Sequence, residues 1–212
     1  MSRITIKYYG HSCFKVRSGA ASVILDPYED GSVPGTLMPR GLEADAVYCS
    51  HDHHDHNAAG MVQLTGKAEP FPVSFITVPH DDVNGKKRGL CRMTFLQAGG
   101  LTVAHLGDLG RLPSDEEYEQ LSQADVLLVP CAGYYTIDSA QAKTILARMK
   151  SPSLKILMHF RDGMRGYDVQ ESIQDIMKVI PGVKRLKESE ITVNSSDVLD
   201  EVITLEPELR QE

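Results

Sequence analysis

The sequence predicts a layered α/β fold, with sheets packed on one another and covered by helices. Three observations predict it. Short strand-like segments run from the N-terminus almost to the C-terminus, several of them in hairpins. Helical segments are few and fall between strands. The chain of 212 residues can bury one sizeable core and shows no internal repeat, low-complexity stretch or linker, so residues 1–212 are expected to form a single domain.

The elements follow in order. Ile4 to Tyr8 alternates as a strand, and Gly10-His11-Ser12 breaks it. Cys13 to Val16 and Ser22 to Leu25 form a hairpin around Ser18-Gly19, ended by Asp26-Pro27. Asp30 to Gly41 holds Gly31, Gly35, Gly41, Pro34 and Pro39 and is a loop. Asp45 to Cys49 is a short apolar strand. Val73 to Val78 is another, stopped by Pro79-His80. Cys91 to Leu96 and Leu101 to His105 are strands joined by Ala98-Gly99-Gly100. Ser114-Asp115-Glu116-Glu117 is a capping box that opens a helix. Val126 to Val129 is a buried strand, and Asp138 caps a helix over Ser139 to Met149. Leu154 to Met158 is a strand, and Val169 to Ile180 an amphipathic helix ended by Pro181-Gly182. A last strand near Val202 to Leu205 precedes a polar tail.

Composition narrows the function classes. No apolar run approaches the ~18 residues of a membrane span, and Met1 to Thr5 lacks the apolar stretch of a signal peptide, so a cytoplasmic protein without membrane contact is expected. The net charge of −7, with no long basic run, argues against nucleic acid. Cys13, Cys49, Cys91 and Cys131 are far apart and are expected as free thiols. The sequence leaves the oligomeric state open.

Half of the 8 histidines lie in His51-Asp52-His53-His54-Asp55-His56. Residues two apart on an extended chain point the same way, so His51 and His53 can grip one metal ion. Asp55 and His56, just past the bend, can reach a second. Nitrogen and oxygen ligands without thiolate suit zinc, with manganese or iron as alternatives. The other candidates fall at strand ends: His80 after Val73–Val78, Asp108 after Leu101–His105, and His159 after Leu154–Met158. Each alone is weak evidence. Together with the cluster they make seven ligands, provided that those strand ends share one edge.

This pattern resembles the metallo-β-lactamase fold superfamily. Ser50-His51-x-His53-x-Asp55-His56, His80, Gly107-Asp108 and His159 match its ligand order. Tyr9-Gly10-His11-Ser12-Cys13-Phe14, Ile24-Leu25-Asp26-Pro27, His80-Asp81-Asp82, Val103 to Gly110 and Tyr135-Thr136-Ile137-Asp138 narrow the resemblance to its zinc-dependent hydrolases of the ascorbate-6-phosphate lactonase-like branch. The resemblance implies a four-layer αββα sandwich with a dinuclear site at one edge. It implies that His51, His53 and His80 hold the first of two divalent ions, that Asp55, His56 and His159 hold the second, and that Asp108 bridges them.

Two such ions can share a water and lower its pKa toward ~7, giving a hydroxide that attacks a carbonyl or phosphorus. The expected activity is hydrolysis of a small-molecule lactone, ester, amide or phosphoester. Asp55 has two candidate catalytic roles, as ligand and as proton acceptor. His11, in its Gly-His-Ser turn, is either a surface residue or a catalytic group that orients substrate or stabilises an oxyanion. His105 is expected to support the site from the core, and His54 to face away from it. Asp26 is expected to orient a ligand histidine or a loop through hydrogen bonds, with a plain turn carboxylate as the alternative. Tyr134 and Tyr135 either line the pocket or pack in the core. The loop Asn84 to Gly89, rich in Lys86, Lys87 and Arg88, is either solvated or captures an anionic substrate group. Alternatives on the same fold are a nuclease, disfavoured by charge and length, and an iron-dependent oxidoreductase.

Overall fold

The computed structural model describes residues 2–211. The first strands are β1 (Arg3–Gly10), β2 (Cys13–Ser18), β3 (Ala21–Leu25), β4 (Leu42–Ala44), β5 (Ala46–Tyr48) and β6 (Val62–Leu64). Then come β7 (Val73–Pro79), β8 (Leu90–Ala98), β9 (Leu101–His105), helix α1 (Asp115–Leu121) and β10 (Val126–Pro130). Helix α2 (Ser139–Leu146), β11 (Leu154–Met158), helix α3 (Ile173–Val179), β12 (Lys184–Arg185), β13 (Glu190–Asn194) and β14 (Val202–Thr204) complete the order.

Two sheets lie face to face. One has the order β13-β1-β2-β3-β5 and the other β12-β14-β11-β10-β9-β8-β7. Alternation within the central strands sorts their side chains between two cores. Val126 and Leu128 of β10 meet Ile4, Ile6, Phe14 and Val23 of the smaller sheet. Leu127 and Val129 point the other way, toward Leu121, Ile145 and Ile176 of the three helices. Both faces of β10 are therefore buried, which suits a strand with parallel neighbours on each side.

The outer face of the smaller sheet is covered differently. Tyr9, Cys13 and Ile24 pack against Tyr28, Val33, Met38, Leu42 and Val62. This layer consists of the 27–41 loop, the parallel pair β4–β6 and one 3-10 turn, Ala59–Met61. The three glycines and two prolines of 30–41 bar an α-helix there. None of the described helices is long and apolar enough to cross a membrane.

The helix starts at Ser114 and Asp138 carry complete capping boxes, with Glu117 and Gln141 as reciprocal partners. Two helices are shorter than their apolar spacing suggests. Beyond Leu146 the chain tightens, with Arg148 N–H donating to Ile145 O at 2.9 Å and Met149 N–H to Leu146 O at 3.3 Å. The other helix begins at Ile173 with Ser172 as N-cap, because residues 169–171 are held in a turn. In that turn Gln170 N–H donates to Tyr167 O and Glu171 N–H to Ala132 O.

Candidate metal centre

Topology explains why the candidate ligands meet. β7 and β9 are each antiparallel to β8, and β9, β10 and β11 are mutually parallel. The C-terminal ends of β7, β9 and β11 therefore lie at one edge and deliver His80, Asp108 and His159. In the smaller sheet β1 and β3 are each antiparallel to β2, and β5 is parallel to β3. Their C-terminal ends deliver His11, Asp26 and the His51–His56 segment. The two edges coincide: His159 N–H donates to His11 O at 3.0 Å, and Arg92 N–H to Ser50 O at 2.9 Å.

All seven predicted ligands are brought together. Asp108 Oδ2 sits among four imidazole nitrogens: His80 Nε2 at 3.0 Å, His56 Nε2 and His159 Nε2 at 3.3 Å, and His51 Nε2 at 3.9 Å. On one side, donor atoms of His51, His53 and His80 lie within 4.8 Å of one another. On the other, those of Asp55, His56 and His159 do the same, and His11 joins them. His11 is buried, its ring 4.0 Å from that of His159 and its Nε2 3.3 Å from Asp55 Oδ2. The turn is a pocket feature, not a surface one. His53 stands exposed at the mouth.

One buried carboxylate organises much of this. Asp26 Oδ1 accepts Ser50 N–H at 2.6 Å, and its Oδ2 accepts Ser50 Oγ–H at 2.6 Å. The same Oδ2 lies 2.8 Å from His56 Nδ1. With its hydrogen given to Asp26, Ser50 Oγ can accept from His51 Nδ1, 2.9 Å away. Both rings are thereby protonated on Nδ1 and turn Nε2 toward Asp108, as a metal-binding imidazole requires. His105 also keeps its expected supporting role. Its Nε2 donates to Ser12 O at 2.9 Å and its Nδ1 accepts Gly107 N–H at 3.1 Å, tying the His11 turn to the Asp108 turn.

Gln170 and Tyr167 were not legible as site residues. The Gln170 amide nitrogen lies 2.8 Å from His159 Nδ1, while its Oε1 accepts Tyr167 N–H at 3.0 Å. Tyr167 Oη lies 3.1 Å from Asp55 Oδ2 and 2.7 Å from Ser32 O. Both residues occupy the turn before α3; the sequence pattern places Gln170, but not Tyr167, in the helix Val169 to Ile180. No local signal marks them. His54 faces away, exposed beside Glu29. Tyr135 lines the cavity over the cluster, and Tyr134 stands largely exposed beside it. The loop after His80 lies at the cavity rim, with Arg88 in its wall.

The backbone is strained where the site is built. Non-glycine residues with positive φ include His11 (53°), Asp26 (45°), Tyr134 (56°) and His159 (60°). Such conformations cost on the order of 1–3 kcal/mol each and persist only where the surroundings fix them. At Gly107, φ is 54° and a Cβ would come within 2.8 Å of Arg92 O, so only glycine brings Asp108 to its place.

The charges fit a cation. Burial works against ionised Asp108, but His159 and His56 hold its carboxyl well below the usual range. Burial likewise opposes charge on His56, yet Asp108 and Asp26 push it well up. His11 and His51 are lowered mainly by burial, to about 4 and about 3. Buried side-chain atoms without a hydrogen-bond partner concentrate here: Nε2 of His11, His51, His56 and His159, both nitrogens of His80, and Asp108 Oδ1. An unsatisfied buried polar atom costs about 1–3 kcal/mol. Seven in one place would consume much of a protein's ~5–15 kcal/mol net stability unless a bound species engages them. Imidazoles and carboxylates converging on common points, with the His51 and His56 rings set to present Nε2, fit divalent metal ions.

The comparisons with known proteins agree with this geometry. The family described as "Beta-lactamase superfamily domain" matches residues 5–159. A metal-dependent hydrolase of Thermoplasma volcanium is 26% identical over 188 residues, covering 74% of this chain and 83% of that protein. One from Nitratidesulfovibrio vulgaris is 28% identical over 190 residues, covering 73% and 79%. Among solved structures, a Thermotoga maritima protein described as a Zn-dependent hydrolase of the metallo-beta-lactamase superfamily superposes with a TM-score of 0.75 at 22% identity, covering 97% of this chain and all of that one. Igni18, a metallo hydrolase from Ignicoccus hospitalis, superposes at 0.62 with 16% identity, covering 100% and 97%. These last two likenesses are of fold.

Proposed function

The chain belongs to the beta-lactamase superfamily domain family, and on that premise we propose that it is a metal-dependent hydrolase of small molecules. In this reading His51, His53 and His80 would hold one divalent ion, and Asp55, His56 and His159 would hold a second. Asp108, whose Oδ2 faces donors from both groups, lies between them. Zinc suits this donor set best. The reading is carried by the buried Nε2 atoms of His51, His56, His80 and His159, which have no hydrogen-bond partner and lie 3.0–3.9 Å from Asp108 Oδ2.

Such ions, when bound, supply an acidified water and Lewis acidity toward a carbonyl or phosphoryl oxygen. The chain's own residues do the rest. Asp108 and Asp55 neutralise the cations. Asp26 and Ser50 fix the tautomers of His56 and His51. Asp55, hydrogen-bonded from the cavity side by Tyr167, is placed to take a proton from the attacking water at Oδ2. His11, whose Nε2 lies 3.3 Å from the same oxygen, is a second donor beside the place where an oxygen gains charge. Tyr135 and Tyr167 wall a cavity of about 280 Å³, room for a small lactone, ester, amide or phosphoester.

The test couples metal analysis of protein purified without added metal to a hydrolysis panel of those four bond classes. Turnover of at least one class with zinc or manganese bound is expected, and Asp55→Ala should lower it by about 10²-fold or more. Full activity in that variant, or iron with oxygen consumption and no hydrolysis, would refute the reading.

A further inference from the structure

The loop between β7 and β8 leaves the cluster directly from His80 and returns along the cavity rim. Its shape is dictated by one side chain. Asp81 is buried, and its carboxylate accepts four backbone N–H groups: Val83 at 2.9 Å, and Gly85, Lys87 and Arg88 at 2.8 Å each. Burial disfavours its charge, but those donors hold it at about 2. Behind the loop, Gly110 is so close that a Cβ there would lie 2.1 Å from Asp81 N. The loop is therefore clamped both to His80 and to the turn that carries Asp108. What it presents stands at a fixed distance from the metal cluster.

What it presents is Arg88. Lys87 lines only the outer of the two neighbouring cavities and is paired with Asp82 at 3.1 Å, and Lys86 lines neither. Arg88 lines both. One is the cavity over the cluster, shared with His53, Asp55, His80 and Asp108. The other, of about 370 Å³, opens outward between Asp82, Thr136, Asp138 and Gln141. The guanidinium lies against two aromatic rings, with Cζ 5.5 Å from the Tyr134 centroid and 5.4 Å from that of Tyr135. Packing against aromatic rings leaves the N–H groups of a guanidinium available. Among the described residues, no carboxylate forms an ion pair with it and its side chain makes no hydrogen bond. An unpaired cation beside a centre built to hold cations is repelled by it. An anion placed between the two removes that repulsion and uses the open fork of donors.

We propose that Arg88 is a specificity-determining residue that takes an oxyanion of the substrate, a carboxylate or a phosphate, at the junction of the two cavities. The proposal rests on the reading that a small molecule is hydrolysed in this cavity, and it names the class: an anionic substrate, with the charged group reaching the rim and the scissile bond over Asp108. Tyr134 and Tyr135 act as positioning residues for the guanidinium.

The test is calorimetric titration of the metal-loaded full chain with inorganic phosphate and, separately, with acetate. Two or more charge-assisted hydrogen bonds from Arg88 predict that Arg88→Ala weakens binding of at least one probe by about 10–100-fold. Arg88→Lys should lose less, and Lys86→Ala, at a lysine that lines neither cavity, should stay within about twofold of the parent. Whichever probe responds identifies a planar or a tetrahedral group. Unchanged binding in Arg88→Ala, equal losses in Lys86→Ala, or no binding of either probe by the parent would each overturn the proposal. Arg88→Lys, which keeps the charge and most of the packing, guards against a folding artefact. The titration needs no turnover, so Arg88-dependent binding in a protein that hydrolyses nothing would remove the hydrolase reading and leave the anion site standing.

Discussion

Replacing Asp26 by asparagine changes two histidines of the candidate metal centre, His56 directly and His51 through Ser50. The carboxylate now accepts from Ser50 N at Oδ1, and from Ser50 Oγ and His56 Nδ1 at Oδ2. An amide of the same shape must put its NH2 on one side. If the oxygen stays with Ser50 N–H, the NH2 faces His56 Nδ1 and Ser50 Oγ. It then donates to both, so the His56 proton moves to Nε2 and Ser50 Oγ–H turns to His51 Nδ1, 2.9 Å away. Both rings would carry their proton where a metal needs a lone pair. If the amide flips, its NH2 opposes Ser50 N–H, and a buried donor is left unsatisfied at a cost of about 1–3 kcal/mol. Loss of such an outer partner typically lowers metal affinity by about 10–100-fold, and here one change reaches two ligands. Competition against a chromophoric zinc chelator would read the affinity, with thermal melts of the metal-free forms as the folding control. Affinity within about threefold of the parent would refute the tautomer argument.

Three further outcomes follow from the same geometry. Gly110→Ala would press a Cβ onto Asp81 N at 2.1 Å and His80 C at 2.4 Å, backbone atoms that cannot turn aside. An overpacking cost of about 1–3 kcal/mol or more should lower Tm by about 2–12 °C, and an unchanged melt would contradict this packing. Asp81 is held at about 2, below an ordinary aspartate at ~3.9, so its contribution to stability is present above pH ~4 and lost as pH falls toward 2. The stability gap between parent and Asp81→Asn should therefore be flat above pH ~5 and shrink below ~4, and a gap that does not narrow in acid would sink the argument. Metal at about 100 times its Kd should stabilise the fold by about 2.7 kcal/mol, so stripping it with a chelator should lower Tm by about 5–11 °C, whereas an identical melt would leave the orphaned nitrogens unexplained.

Much of this was legible in the sequence, for identifiable reasons. Strands such as Leu101–His105 and Leu154–Met158 are apolar runs with sharp stops, and they form with those bounds. The metal-facing residues announce themselves by type and by position just past a strand. What escaped depends on distance along the chain. β13 exists because Arg3 to Lys7 pair with Asn194 to Glu190, and nothing local in Glu190–Asn194 requires it. β4 and β6 are three residues each and find each other across an intervening segment. Gln170 reads as part of an amphipathic helix until His159 Nδ1 is seen 2.8 Å from its amide. Arg88 reads as one of three equivalent basic residues, and only Asp81's grip on the loop and the two tyrosine rings single it out.

The division of labour between the two sheets has a mechanical consequence. The smaller sheet contributes His11, Asp26 and the whole His51–His56 segment. The larger contributes His80, Asp108 and His159. The two sets meet across the sandwich: Asp108 Oδ2 reaches His56 Nε2 at 3.3 Å and His51 Nε2 at 3.9 Å, and His159 joins the donor atoms of His11, Asp55 and His56. The site therefore reports on how the sheets sit against each other. Polar contacts across the sandwich fix their relative placement at this edge: His105 Nε2 to Ser12 O, His159 N to His11 O, Arg92 N to Ser50 O and Arg92 Nη2 to Cys49 O. The apolar core of Phe14, Val16, Leu128 and Ile156 supplies the packing behind them but no direction. Hydrogen bonds give the direction, and positive-φ residues at His11, Asp26 and His159 bend the chain to use them. Local strain is thus spent at the three turns where each sheet hands its ligands to the other, which is why those turns, rather than the strands behind them, decide whether the seven side chains converge.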